Sequence, residues 1–122
     1  LRIVFSCYDI ACYQNFMSGL AEKFIVTICQ DFDQMFEILQ YGKTDLVLVE
    51  VPQNKSAFLK SLKEFRQKDI TTQIILVGDQ MSQNDLITAF SMGVKDYFPE
   101  PVKTELLLER VRTIAKKIQN QT

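Results

Sequence analysis

Two observations predict a doubly wound α/β fold for this chain. Asp45-Leu46-Val47-Leu48-Val49-Glu50 is an apolar run of strand length with two β-branched residues, the pattern of a central strand covered on both faces. Around it, short apolar runs alternate with amphipathic helical stretches at regular spacing. Five such strands alternating with five helices imply parallel strands joined by right-handed crossovers. Ligands of open α/β sheets bind outside the carboxyl ends of the strands, so Glu50 stands where chemistry is expected.

The elements follow in order. Ile3-Val4-Phe5 reads as the first strand and Ile10 to Glu22 as the first helix. Phe24 to Ile28 is rich in β-branched residues and forms the second strand. Asp31 or Asp33 caps a second helix running to Gln40, because a carboxylate there accepts the unpaired first-turn amides, and Gly42 stops it. The third strand is Asp45 to Glu50. Ser56 caps a third helix, in which Phe58, Leu59, Leu62 and Phe65 recur at helical spacing. Gln73 to Val77 is the fourth strand, ending at Gly78-Asp79. Ser82 opens a fourth helix that Gly93 closes, Val94 to Phe98 is a shorter fifth strand, and Thr104 caps a last helix to about Gln119.

Bulk properties narrow the function. At 122 residues, 1–122 read as one domain, long enough to bury about two-thirds of its unfolded surface. A first residue of Leu, and a polar end from Lys116 to Thr122, predict a piece excised from a longer protein. The net charge of −1 leaves no electrostatic footprint for nucleic acid, so any DNA binding is expected beyond Thr122. No apolar run approaches the ~20 residues that cross a bilayer. Cys7, Cys12 and Cys29, at no zinc-like spacing, predict reduced thiols and a cytoplasmic location. The absence of histidine removes the commonest general base and metal ligand, which argues against hydrolase and zinc chemistry. A nucleotide- or flavin-binding enzyme would need a Gly-rich phosphate loop after the first strand, and none is there. The chain is expected not to be an enzyme.

Several strings resemble the receiver domains of bacterial response regulators, the CheY-like family. Ala89 to Phe98 is similar to the family's fourth helix, glycine stop and Asp-Tyr-Leu fifth strand. Pro99-Glu100-Pro101-Val102 stands in the place of its Lys-Pro-Phe, Leu106 to Arg112 resembles its fifth helix, and Phe65-Arg66 falls where its third helix ends. The resemblance implies a flavodoxin-like (βα)5 three-layer sandwich with a five-stranded parallel sheet in order 2-1-3-4-5.

It also implies a pocket. Receivers accept a phosphoryl group on an aspartate ending the third strand, and hold magnesium with it and an acidic pair after the first. A hydroxyl residue after the fourth strand and a lysine before the fifth-strand proline contact the phosphoryl group. Carried over by position, the phosphoacceptor is Glu50, the acidic pair Ser6-Cys7, the hydroxyl Gly78 and the lysine Glu100. Every one has changed. Magnesium wants hard oxygen ligands, and Ser6 and Cys7 bring no carboxylate; Asp9 lies past the strand, at the cap of the first helix. Phosphoryl transfer rests on positioning and on cations, so Glu100 adds charge of the wrong sign. The expectation is a degenerate phosphorylation pocket, no magnesium, no metal site and no cofactor. Glu50 reads as a partly solvated strand-end glutamate, since imitation of a phosphorylated aspartate needs partners that Gly78 and Glu100 do not provide.

Cys7 lies near the amino end of the first helix, whose dipole can lower a thiol pKa, though a free cysteine is more often a small buried apolar residue. Cys12 and Cys29 read as core. The Glu100-Pro101 bond is expected to be cis by the resemblance, against a base frequency of about 5–6%. Tyr97 matches the family's switching aromatic and, without a hydroxyl at Gly78, reads either as fixed in one position or as half-buried with its hydroxyl in water. The helix 4–strand 5–helix 5 face, used by the family for dimers and partners, would present Asp85, Lys95, Tyr97, Glu105, Glu109, Arg110 and Arg112. The function expected is a pseudo-receiver signalling by protein contact without Asp phosphorylation. The alternative is a phosphorelay receiver with an atypical pocket, regulating an appended C-terminal output domain, DNA-binding in a transcription regulator.

Overall fold

The apolar run Leu46–Val49 is the centre of a parallel sheet and is buried along its whole length. The computed structural model describes residues 1–40, 42–68 and 71–120; the last two residues of the polar end lie outside that set. Its strands are β1 (Arg2–Ser6), β2 (Ile25–Cys29), β3 (Leu46–Val51), β4 (Gln73–Gly78) and β5 (Asp96–Pro99). Its helices are α1 (Gln14–Ala21), α2 (Phe32–Gln40), α3 (Lys55–Lys68), α4 (Gln83–Ser91) and α5 (Thr104–Asn120). The sheet order is β2-β1-β3-β4-β5, every pair parallel, which is the flavodoxin-like topology.

Alternation along the strands sorts the core into two layers. Ile3, Phe5, Leu46, Leu48, Ile75 and Val77 face α1 and α5, meeting Phe16, Leu20, Leu107 and Val111. Val4, Val47, Val49, Ile74 and Leu76 face the other way and meet Met35, Phe58, Leu62 and Ala89 on α2, α3 and α4. Each such aliphatic side chain contributes about 1.5–3 kcal/mol by leaving water, so the two layers hold the helices in place.

Most strand ends differ from the sequence reading by a residue, and at other boundaries the difference has a local reason. The first helix begins as a 3-10 turn, Ile10–Tyr13, in which the Cys12 amide reaches the Asp9 carbonyl at 3.3 Å and the Asp9 side chain at 3.4 Å. Asn54, not Ser56, caps α3 by accepting the Ala57 amide at 3.1 Å. The last strand starts at Asp96 because the Val94 amide returns to the Ala89 carbonyl, finishing α4; Gly93, at φ +84°, makes that turn without a Cβ clash. Thr104 is the first residue of α5, not the cap before it. Ser82 does cap α4, accepting the Asp85 amide at 3.1 Å, and Asp31 caps α2 through the Gln34 amide at 2.8 Å.

Candidate functional site

Strand register brings the five pocket positions to one end of the sheet. Ser6 pairs with Val49, Glu50 with Val77, and Gly78 lies between Val51 and Pro99. Glu50 is only 6% exposed, which corrects the expectation of a partly solvated carboxylate. Its Oε1 accepts the backbone amides of Tyr8 at 2.5 Å and Asp9 at 3.0 Å, so its extra methylene lets it reach the loop after β1 and grip it. No lysine or arginine is among its partners among the described residues.

Gly78 has φ +110°, and a Cβ built there would stand 3.3 Å from the Glu50 Cγ and 3.6 Å from both Glu100 Oε1 and the Tyr13 hydroxyl. The backbone at the hydroxyl position has thus taken a conformation that favours glycine. Glu100 is exposed, its amide bonds the Gly78 carbonyl at 2.8 Å, and the Glu100-Pro101 peptide bond is cis. The Tyr13 hydroxyl donates to Glu100 Oε1 at 3.5 Å. Burial first, then the charges of Glu50 and Glu100, push the Tyr13 phenol far up, so it stays a neutral donor. Sequence reading missed Tyr13; its inward place one turn after the capping Asp9 was the available signal.

The first-strand positions have no charge. Ser6 is buried with its Oγ unpartnered among the described residues. Cys7 is fully buried, and desolvation, then the adjacent Glu50 charge, push its thiol up to about 12, overriding any help from the helix dipole. Cys29 is core as expected, but Cys12 is exposed, its thiol 3.0 Å from Asp9 Oδ2. In the folded protein an alkylating reagent at mildly alkaline pH is expected to label Cys12 alone, as read by peptide mass spectrometry. Labelling of Cys7 without denaturant would contradict its burial.

Magnesium, which the resemblance implies, does not fit these residues. A neutral hydroxyl and a protonated thiol replace the acidic pair, and the carboxylate that remains is already bonded to two amides. Among the described residues no group of three or more His, Cys, Asp or Glu side chains could hold a metal ion.

Away from the pocket, Tyr97 is half-buried, and its hydroxyl is held by two backbone groups. It donates to the Asp79 carbonyl at 2.8 Å and accepts the Met81 amide at 3.1 Å. Asp79 in turn pairs with Lys55 at 2.8 Å, which holds its carboxyl below the usual range. On the α4–β5–α5 face, Lys95, Glu105 and Glu109 are exposed, while Asp85, Arg110 and Arg112 are half-buried; Arg110 is tied to Asp96 at 2.8 Å. The charge-based reading of that face passed over Ile87, Phe90 and Leu106, which are 61%, 46% and 53% exposed. Ile87 and Phe90 lie three apart on α4, a spacing that was legible.

A doubly wound sheet in the order β2-β1-β3-β4-β5 with an acidic residue near the end of its third strand is the arrangement expected of a receiver-like domain. The family model for the response regulator receiver domain matches residues 10–112, and the chain belongs to that family. Among curated relatives it is 30% identical over 96 residues to the transcriptional regulatory protein CpxR of Klebsiella pneumoniae subsp. pneumoniae, covering 79% of this chain and 40% of that protein. It is 29% identical over 101 residues to the uncharacterized transcriptional regulatory protein YkoG of Bacillus subtilis, covering 83% and 44%. The chain thus spans less than half the length of both. Among solved structures, the receiver domain of the TMAO respiratory system response regulator TorR matches with a TM-score of 0.83 at 24% identity, covering 96% of this chain and 98% of that one. Among the described residues no helix is long and apolar enough to cross a membrane.

Proposed function

We propose that this chain is a pseudo-receiver: a non-enzymatic, cytoplasmic signalling module that works by protein contact without phosphorylation. The observation that carries this reading is the Glu50 carboxylate, buried and bonded to two amides of the loop after β1. In a working pocket an ion joins that loop to the third strand; here the side chain makes the join directly. Nothing at Ser6, Cys7, Gly78 or Glu100 supplies the cations or hydroxyl that phosphoryl transfer uses.

The contact surface is the α4–β5–α5 face, taking a protein partner or a second copy. Ile87, Phe90 and Leu106 give it an apolar centre, and Lys95, Glu105, Glu109 and Arg112 a charged rim, the usual anatomy of a specific interface. The domain itself does not bind nucleic acid. Its relatives are transcriptional regulatory proteins of which it matches only 40% and 44%, which favours 1–122 being one module coupled to a DNA-binding output domain.

The test is an amide NMR spectrum recorded with magnesium and either beryllofluoride or acetyl phosphate. The expected spectrum is unchanged. Shifts centred on Glu50 and running to Tyr97 would overturn the proposal in favour of a phosphorelay receiver with an atypical pocket.

A further inference from the structure

The sheet has two edges, and they are defended very differently. β5 has four residues, ends in Pro99, and carries the Asp96–Arg110 pair, all devices that block a further strand. β2 has none: Ile25-Val26-Thr27-Ile28-Cys29 contains no charge, proline or glycine. Ile25 and Ile28 are 61% and 43% exposed, so the edge is open to solvent at both positions.

The ladder fixes which backbone groups are free. The Ile25 amide donates to the Leu1 carbonyl at 3.2 Å and the Cys29 carbonyl accepts the Cys7 amide at 2.9 Å. Residues 25, 27 and 29 therefore bond to β1, and alternation turns the amides and carbonyls of Val26 and Ile28 outward. We propose that this edge pairs with the β2 of a second copy, antiparallel about a two-fold axis through Thr27, making one continuous ten-stranded sheet.

That register satisfies every outward group. Val26 of each copy faces Ile28 of the other as a hydrogen-bonded pair exchanging both bonds, and the two Thr27 residues meet as the closer, non-bonded pair. β-Branched and Thr–Thr neighbours of this kind favour pairing. Lys23 and Asp31, in the turns flanking β2 at equal sequence distance from Thr27, are exposed and of opposite sign, so a two-fold axis at Thr27 sets a basic end of each copy toward an acidic end of the other. A shift by one residue would oppose bonded to unbonded positions and lose all four hydrogen bonds. The interface is isologous and small, in the class of weak association.

Sedimentation of the full chain carrying Phe90→Glu, which disables the other proposed face, tests this from about 10 μM to about 1 mM. A monomer–dimer equilibrium is expected. Thr27→Lys, which sets two ammonium groups against each other on the axis, is expected to raise its dissociation constant by about tenfold or more. Lys23→Glu, outside the strand and so harmless to folding, is expected to weaken it in the same direction at low salt. A monomer at every concentration, or a dimer indifferent to both substitutions, would overturn the pairing. Circular dichroism of each variant separates lost pairing from lost fold.

Discussion

Glu50→Leu is expected to lower the free energy of unfolding by about 2–4 kcal/mol, while Glu50→Gln stays within about 1 kcal/mol of the wild type. The difference isolates what this side chain does. Leucine fills the space but leaves the Tyr8 and Asp9 amides without their acceptor. An amide bonded to an ionised acceptor contributes about 1.5–3 kcal/mol, and the apolar volume gained offsets part of that loss. Glutamine keeps an oxygen in place for both amides and removes a negative charge that stands near Glu100 and Asp9. Denaturant midpoints at constant slope measure all three proteins. If leucine proves as stable as glutamate, the loop is not held by Glu50 and the metal-free join is wrong.

Gly78→Thr, the change that would return the family's hydroxyl, is expected to cost about 2–3 kcal/mol. At φ +110° a β-branched residue is strained whatever the space, and its Cβ would also press on the Glu50 Cγ at 3.3 Å. The hydroxyl cannot therefore be restored by one substitution, because the backbone itself has moved to a conformation only glycine occupies easily. Unfolding curves and the spectrum with beryllofluoride check both halves. Wild-type stability would mean that the turn relaxes to negative φ, and the pocket would then be closer to repair than the geometry implies.

The strands, the helices and the cap at Ser82 were legible because periodicity and capping act over a few residues, whereas the sheet order came from the family resemblance. The altered pocket positions also came from that resemblance, carried over residue by residue to the strand ends. What Glu50 does there was not legible. Its burial depends on the loop carrying Tyr8 and Asp9, which lie 42 and 41 residues away in sequence. Cys12 shows the same limit, because a 3-10 turn carries it outward, while Cys7 is the small buried residue that was the commoner reading of a free cysteine. Ile87 and Phe90 were missed for a different reason, attention to charge on a helix that has two apolar stripes.

The Tyr97 hydroxyl, bonded to both the Asp79 carbonyl and the Met81 amide, joins β5 to the segment leading into α4, and Lys55 ties Asp79 onward to α3. Three elements that meet at the pocket end are thereby locked as one block. A protein docking on α4, β5 and α5 would find a surface already ordered, so little entropy is lost in fixing it at the moment of contact. Occupancy of such a surface follows the concentration of the partner. Under the function proposed above, the domain reports the abundance of its partner.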